Sequence, residues 1–254
     1  MADLLISIVT PTLNAQRYLA ECLHSVQTQD WHEVEHLVVD GGSTDATEQL
    51  VRSSGATWIS RPGLNQAAAI NVGIHLARGE LVAWLNSDDV YAPGCLRFVA
   101  TRFACEPDLH VLIGDCDVID ADGKLLRRLS PGPYDYARLL RNGNSVAQPS
   151  VFLRRSVFEQ VGYLDETLEF GMDYDLWLRL RGLHVAYTPR VLASFRWHSG
   201  SKTANNLDAN WAEALRIVRQ RHGGDWTPAL AWAYGRARLT SLRQRIGGKL
   251  WQPR

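Results

Sequence analysis

The stretch His36-Leu37-Val38-Val39-Asp40-Gly41-Gly42-Ser43-Thr44-Asp45 decides the fold. A short, β-branched apolar run ends on a carboxylate, then breaks into a double glycine and a group of helix-capping residues. That is a strand from Val34 to Asp40 running into a turn and then a helix from Thr44 to Ser53. Upstream, Leu4 to Thr10 reads as a strand and Ala15 to Gln29 as a helix. Downstream come a strand from Ala56 to Ser60, a helix from Asn65 to Arg78 and a strand from Leu81 to Asn86. Strands alternating with helices of this length imply a parallel, doubly wound α/β sheet flanked by helices.

In such sheets ligands bind outside the carboxyl ends of the strands. Those ends are Thr10-Pro11-Thr12-Leu13-Asn14, Asp40-Gly41-Gly42-Ser43-Thr44-Asp45 and Asn86-Ser87-Asp88-Asp89, so polar and acidic residues converge on one edge. Asp88 and Asp89 suit a hard divalent cation that also takes substrate phosphate. They suit equally well an acidic turn capping a helix from about Pro93 to Cys105. Asp40 reads first as part of a tight turn, with a backbone that a ligand can approach closely. No Gly-x-Gly-x-x-Gly follows a strand, so a dinucleotide fingerprint is absent.

Past Asp89 the rhythm becomes α+β. A strand spans His110 to Asp117, Asp122-Gly123 marks a hairpin, Gln148 to Leu153 reads as a strand, and Asp173 to Leu183 as an amphipathic helix. Asp173 and Asp175 at that helix start are favourable against the helix dipole by about 0.3–1 kcal/mol, so they need no catalytic role to be there. His198 lies in the polar loop Arg196 to Thr203, where a lone histidine is by itself weak evidence for a ligand.

The chain of 254 residues has 27 basic and 27 acidic residues, which gives nothing to attract a polyanion such as nucleic acid. From Asn205 onward, however, nine basic residues face three acidic ones, with Trp211, Trp226, Trp232 and Trp251 among them. This helical tail, residues 205–254, has two readings. It packs on the parent domain or a partner subunit, or it lies on an anionic membrane surface facing a lipid-linked acceptor. The four cysteines lack CxxC spacing and no apolar run reaches the roughly 20 residues of a membrane span, so the expected setting is cytoplasmic, peripheral at most to the inner membrane face. A homo-oligomer is compatible with this composition.

Taken in order, these segments resemble the family 2 inverting glycosyltransferases with the GT-A fold. The resemblance runs from Ser7-Ile8-Val9-Thr10-Pro11-Thr12-Leu13-Asn14 through His36 to Thr47, Ala69-Ile70-Asn71-Val72-Gly73 and Leu85 to Asp89. It continues in Gln148 to Phe152, Gly162 to Glu166 and Met172-Asp173-Tyr174-Asp175-Leu176-Trp177, covering about residues 4 to 203. It implies a GT-A type doubly wound, mostly parallel sheet over residues 1–204, with a nucleotide-sugar-binding half (1–105) and an acceptor and catalytic half (106–204). It further implies that Thr10, Pro11, Thr12, Asn14, Asn71 and Asp88 line the nucleotide site and that Asp40 accepts a hydrogen bond from the base, a uracil. Asp89 would ligate a Mn²⁺ or Mg²⁺ with help from Asp88 and His198, Lys202 would close over the diphosphate, and Asp173 would be the base. Met172 stands where relatives often carry Glu, which leaves the base itself in place, and Ala68 stands where many carry Asp, which leaves the donor open. The activity implied is transfer of a sugar from a nucleoside-diphosphate sugar, such as a UDP-sugar, to an acceptor hydroxyl in cell-surface polysaccharide or glycolipid synthesis. The rivals are a sugar-1-phosphate nucleotidyltransferase, which would want a glycine-rich basic loop in place of Pro11 to Ala15, and an inactive nucleotide-sugar-binding protein.

Overall fold

The computed structural model describes residues 4–202, 206–223, 227–228, 230–232 and 234–235. Four strands form the expected parallel core: β1 (Ile6–Thr12), β2 (Val34–Asp40), β3 (Thr57–Ser60) and β4 (Leu81–Trp84), in the order β3-β2-β1-β4. The crossovers are α1 (Leu19–Gln27), α2 (Thr47–Ser54) and α3 (Gln66–Leu76). Pairing of Thr12 with Asp40, and of Asp40 with Ser60, brings these strand ends level at one edge.

Strand periodicity divides the core. Ile6, Ile8, Leu81 and Ala83 face a layer completed by Leu96, Val99 and Phe103, whereas Val9, Val82 and Trp84 face a layer with Ile70, Ile74, Leu176 and Trp177. Gly73 of α3 lies directly on β1: a Cβ there would come within 2.8 Å of Val9 Cγ2 and closer still to Cγ1.

The second half extends the sheet with mixed polarity. After β5 (Val90–Tyr91) and α4 (Cys95–Cys105) come β6 (Val111–Ile119), β7 (Leu125–Leu129) and α5 (Tyr136–Asn142). A 3-10 turn (Gln148–Ser150) leads into β8 (Val151–Arg154), α6 (Ser156–Val161), α7 (Met172–Arg179), β9 (Val185–Arg196) and α8 (Leu207–Arg221). The full order is β3-β2-β1-β4-β8-β6-β9-β5, with β7 on β6 as the hairpin at Asp122-Gly123 requires. β8 runs antiparallel to both β4 and β6, while β6 and β9 run parallel.

Ala214, Ile217 and Val218 of α8 are buried in the same core as β1 and α7, so this part of the tail rests on the body. Trp226 and Trp251, and the basic residues from Arg236 onward, lie outside the described residues. Among the described residues no helix is long and apolar enough to cross a membrane. Cys22, Cys95 and Cys116 are buried free thiols and Cys105 is exposed.

Candidate active site

The loops after β1 and β2 are sewn together. Asn14, which among the described residues is the non-glycine residue with a left-handed backbone (φ +50), accepts from Thr44 N at 2.9 Å through Oδ1, and its own N–H donates to Ser43 Oγ at 2.8 Å. Ala15 N donates to Thr47 Oγ1 at 2.9 Å and Gln16 N to Asp45 Oδ2 at 3.1 Å. This stitching holds residues 15–18 in a turn, which is why α1 starts at Leu19 and not at Ala15.

Asp40 is buried and its carboxylate belongs to the same stitching. Oδ2 accepts from the N–H groups of Gly42 (2.8 Å) and Ser43 (2.9 Å), and Oδ1 accepts from the hydroxyls of Ser43 and Thr12, the last at 3.3 Å. Thr10 does not reach the cleft: it is fully buried with Oγ1 2.9 Å from His36 Nε2. Burial lowers the pKa of His36 to about 4. Asn71 is also a strut, bonding Leu164 through N–H and C=O (3.1 and 2.9 Å) and the Glu166 carboxylate (2.9 Å).

The two carboxylates of Asn86-Ser87-Asp88-Asp89 part company. Asp88 faces the cleft, with Oδ2 3.0 Å from His198 Nε2. Asp89 is fully buried, accepting from Arg196 N at 2.9 Å and Asn86 Nδ2 at 3.2 Å. Burial, and secondarily the charge of Asp88, raise its pKa well above the usual carboxylate range. The Arg196 side chain, 1% exposed, closes the underside: its guanidinium donates to Asp88 O (2.9 Å), Asp120 O, Ala121 O and Glu21 Oε2 (2.6 Å), and lies over the Tyr18 ring.

His198 Nδ1 accepts from Gly200 N at 3.0 Å, so the ring carries its proton on Nε2 and donates it to Asp88. Among the described residues no three His, Cys, Asp or Glu groups cluster as a metal cage. Mg²⁺ and Mn²⁺ do not need one, since they take one or two carboxylates and fill the remaining positions with phosphate and water. Asp88 fits that pattern as it stands. His198 would have to give up its Nε2 proton and its Gly200 contact, and Asp89 would have to leave its two partners. The ligand role expected of Asp89 therefore fits Asp88 better.

Two adjoining cavities meet at this edge. One, of about 420 Å³, is lined by Pro11, Thr12, Ser87, Asp88 and Lys202. The other, of about 380 Å³, is lined by Asp173, Asn144, Trp84, Gln148 and Trp211. Gln66, Asn86, Glu169 and Phe195 line both. The junction is an amide chain: Gln66 Nε2 donates to Asn86 Oδ1 (2.8 Å), Asn86 Nδ2 to Gln148 Oε1 (3.2 Å), and Gln148 Nε2 to Trp84 O (2.6 Å). At the mouth of the first cavity Lys202 Nζ pairs with Glu169 Oε1 at 2.7 Å and sits over the Phe170 ring.

Asp173, in the first turn of α7, is partly exposed to the second cavity. Burial raises its pKa to about 6, against the opposing hydrogen bonds from Tyr174 N (2.6 Å) and Asn144 Nδ2 (3.2 Å). A carboxylate tuned toward neutrality in a cleft has the property of a general base. Gln148 stood in the matching stretch Gln148 to Phe152 and Trp211 among the tail's tryptophans, whereas Gln66 carried no signal of its own and Arg196 little. The hint at Arg196 was its place closing the apolar run Val191 to Phe195.

The model of the family described as Glycosyl transferase family 2 matches residues 7–162. The Rickettsia conorii protein named Uncharacterized glycosyltransferase RC0461 is 28% identical over 221 residues, 80% of this chain and 36% of its own length. The O-antigen biosynthesis protein RfbC of Myxococcus xanthus is 36% identical over 188 residues, 69% of this chain and 14% of its own length. The chain thus spans about a third or less of these two relatives. Among solved structures, S. aureus TarS 1-349 in complex with UDP-GlcNAc superposes with a TM-score of 0.66 at 19% identity, covering 96% of this chain and 74% of that one. The mannosyltransferase PcManGT from Pyrobaculum calidifontis, in complex with GDP-Man and Mn²⁺, gives a TM-score of 0.62 at 19% identity, covering 96% and 76%. The fold is therefore the GT-A type, and the chain belongs to glycosyl transferase family 2.

Proposed function

We propose that this chain transfers a sugar from a nucleoside-diphosphate sugar to an acceptor hydroxyl in a single inverting displacement. The observation that carries the reading is the junction of the two cavities, with Asp88 and Lys202 on one side and Asp173 on the other. Residues 1–105 would hold the donor and residues 106–204 the acceptor and the base, followed by the tail 205–254. The nucleotide would lie against Pro11 and Thr12, with Asn14, Thr10 and Asn71 holding the pocket's frame. A base N–H would reach Asp40 by displacing Thr12 Oγ1, the longest of its four contacts. A uracil base is supported by the likeness to a TarS structure in complex with UDP-GlcNAc.

Asp88, with His198 and Asp89 after rearrangement, would hold Mn²⁺ or Mg²⁺, which supplies Lewis-acid stabilisation of the leaving diphosphate. Lys202 would exchange Glu169 for the diphosphate and add a second positive charge. Asp173 removes the acceptor proton as the hydroxyl oxygen attacks the anomeric carbon. That attack proceeds from the face opposite the departing phosphate, so no enzyme nucleophile is needed and the configuration inverts. A sugar or lipid-linked acceptor in surface polysaccharide synthesis is supported by the likeness to RfbC, and a peripheral place at the inner membrane face by the basic surplus of the tail.

The test is nucleoside diphosphate release from a panel of UDP- and GDP-sugars with Mn²⁺, in the wild type and Asp173→Asn. General-base loss should lower turnover about 10²- to 10⁴-fold while the donor still raises the melting temperature. A folded Asp173→Asn protein with undiminished turnover would overturn the reading.

A further inference from the structure

We infer that Glu213, on α8 and outside the stretch matched by the family, is a positioning residue for the base Asp173; the inference rests on the sugar-transfer reading above. A helix leaves its first N–H groups without intrahelical partners. α7 begins after Gly171, which has no side chain to cap it. An acceptor for the Gly171 N–H, and for the two N–H groups of the segment leading into the helix, comes from far downstream in the chain. Glu213 Oε2 accepts from Phe170 N (2.6 Å) and Gly171 N (2.8 Å), and Oε1 from Glu169 N (3.2 Å).

The Glu213 side chain is 11% exposed and pairs with Arg216 at 3.1 Å on its outer side. Burial opposes its charge, but the three N–H groups and Arg216 outweigh it, and its pKa falls below the ordinary value. A carboxylate at the positive end of a helix is the favourable sign of charge.

Glu213 does not act as an isolated contact. Residues 213, 217 and 221 are four apart and form one stripe of α8. Ile217 presses on the same place, since a Cβ on Gly171 would come within 2.6 Å of its Cδ1. Arg221 clamps Asp175 at 3.0 Å and also holds Asp165. The stripe therefore grips α7 at residues 171 and 175, and Asp173 sits between the two grips. The segment held by Glu213 also carries Glu169 and Phe170, the two partners of Lys202 at the donor cavity. One side chain from the tail thus fixes the wall between the leaving-group side and the base.

Misplacing a reacting group by about 1 Å can cost on the order of 10²-fold in rate. The experiment uses the full chain with UDP-GlcNAc and GDP-mannose as probes and compares wild type, Glu213→Ala and Glu213→Gln. Glu213→Ala should lower kcat about 10- to 100-fold with donor KM within about threefold, the signature of lost transition-state alignment. Glu213→Gln, which keeps one accepting oxygen, should recover part of that loss. Independently of turnover, the amides of Phe170 and Gly171 should exchange faster with solvent and the Asp173 carboxyl should titrate at a different pH in Glu213→Ala. Unchanged exchange and an unchanged Asp173 titration would overturn the inference, as would an unchanged kcat in an active protein. A wild type inactive on both probes, with the exchange and titration effects present, would count against sugar transfer and leave the positioning intact. Should Glu213→Ala not fold, Glu213→Gln carries the same readouts.

Discussion

Replacing Asp173 by Asn should stabilise the fold at pH 8 while it removes turnover. Burial raises the Asp173 pKa from 3.8 to about 6. The folded state therefore binds this proton more tightly than the unfolded chain does. The resulting stabilisation is fully present below pH 3.8 and is lost as pH rises through about 6. Two pKa units correspond to about 3 kcal/mol, and partial exposure of the group reduces this to about 2–3 kcal/mol. The amide that replaces the carboxylate in Asp173→Asn carries no such cost at high pH. It still accepts from Tyr174 N, but its NH₂ meets the Asn144 Nδ2 donor, and Asn144 cannot turn over freely because its Oδ1 accepts from Val146 N at 3.0 Å. That conflict costs about 1 kcal/mol. The net gain is about 1–2 kcal/mol, or about 2–8 °C in melting temperature for a chain of this size. Thermal unfolding of both proteins from pH 4 to pH 8 should show Asp173→Asn melting higher at pH 8, with its advantage shrinking as pH falls and reversing near pH 4, where the Asn144 conflict outweighs what is left of it. A variant that melts at or below the wild type at pH 8, or a difference that ignores pH, would refute the claim that the site holds a destabilised carboxylate.

Two further outcomes follow from neighbouring geometry. Asn144→Ala removes a hydrogen bond that lowers the Asp173 pKa, so the acidic limb of the kcat profile, with its midpoint near pH 6, should move upward by up to about one unit; a limb that stays or moves to lower pH in a turnover assay contradicts this. Gly73→Ala drives a methyl into Val9 and should destabilise the protein by about 1–3 kcal/mol in urea unfolding, although alanine is the better helix former; an unchanged midpoint would mean that α3 can lift from β1 at no cost.

The parallel half was readable because its signals are local. β2 occupies the expected residues, the Asp122-Gly123 hairpin formed, and the polar strand ends meet at one edge as their sequence order implied. What stayed hidden depends on distant partners. Nothing in Asp88-Asp89 says which carboxylate is buried, because that is decided by Arg196, 107 residues away, whose N–H seeks Asp89. The turn at Asp40 was legible, but not the four contacts by which Gly42, Ser43 and Thr12 take up its carboxylate, which the folded turn and the neighbouring strand create. Thr10 sits next to the pocket residues in sequence but is enclosed beside His36. The tail was read by composition, and composition cannot show that Glu213 and Arg221 have partners waiting on α7.

The amide chain at the junction of the cavities has a direction. Trp84 O can only accept, so Gln148 must offer it the NH₂ end and turn its oxygen to Asn86, which in turn shows its oxygen to Gln66. Gln66 spends one N–H of its NH₂ on that contact, and its carbonyl oxygen and second N–H are left at the border between the cavities. A buried backbone oxygen at one end thus dictates the polarity presented at the other. A hydroxyl arriving there can give a hydrogen bond to the Gln66 oxygen, and a phosphate oxygen can accept from its second N–H.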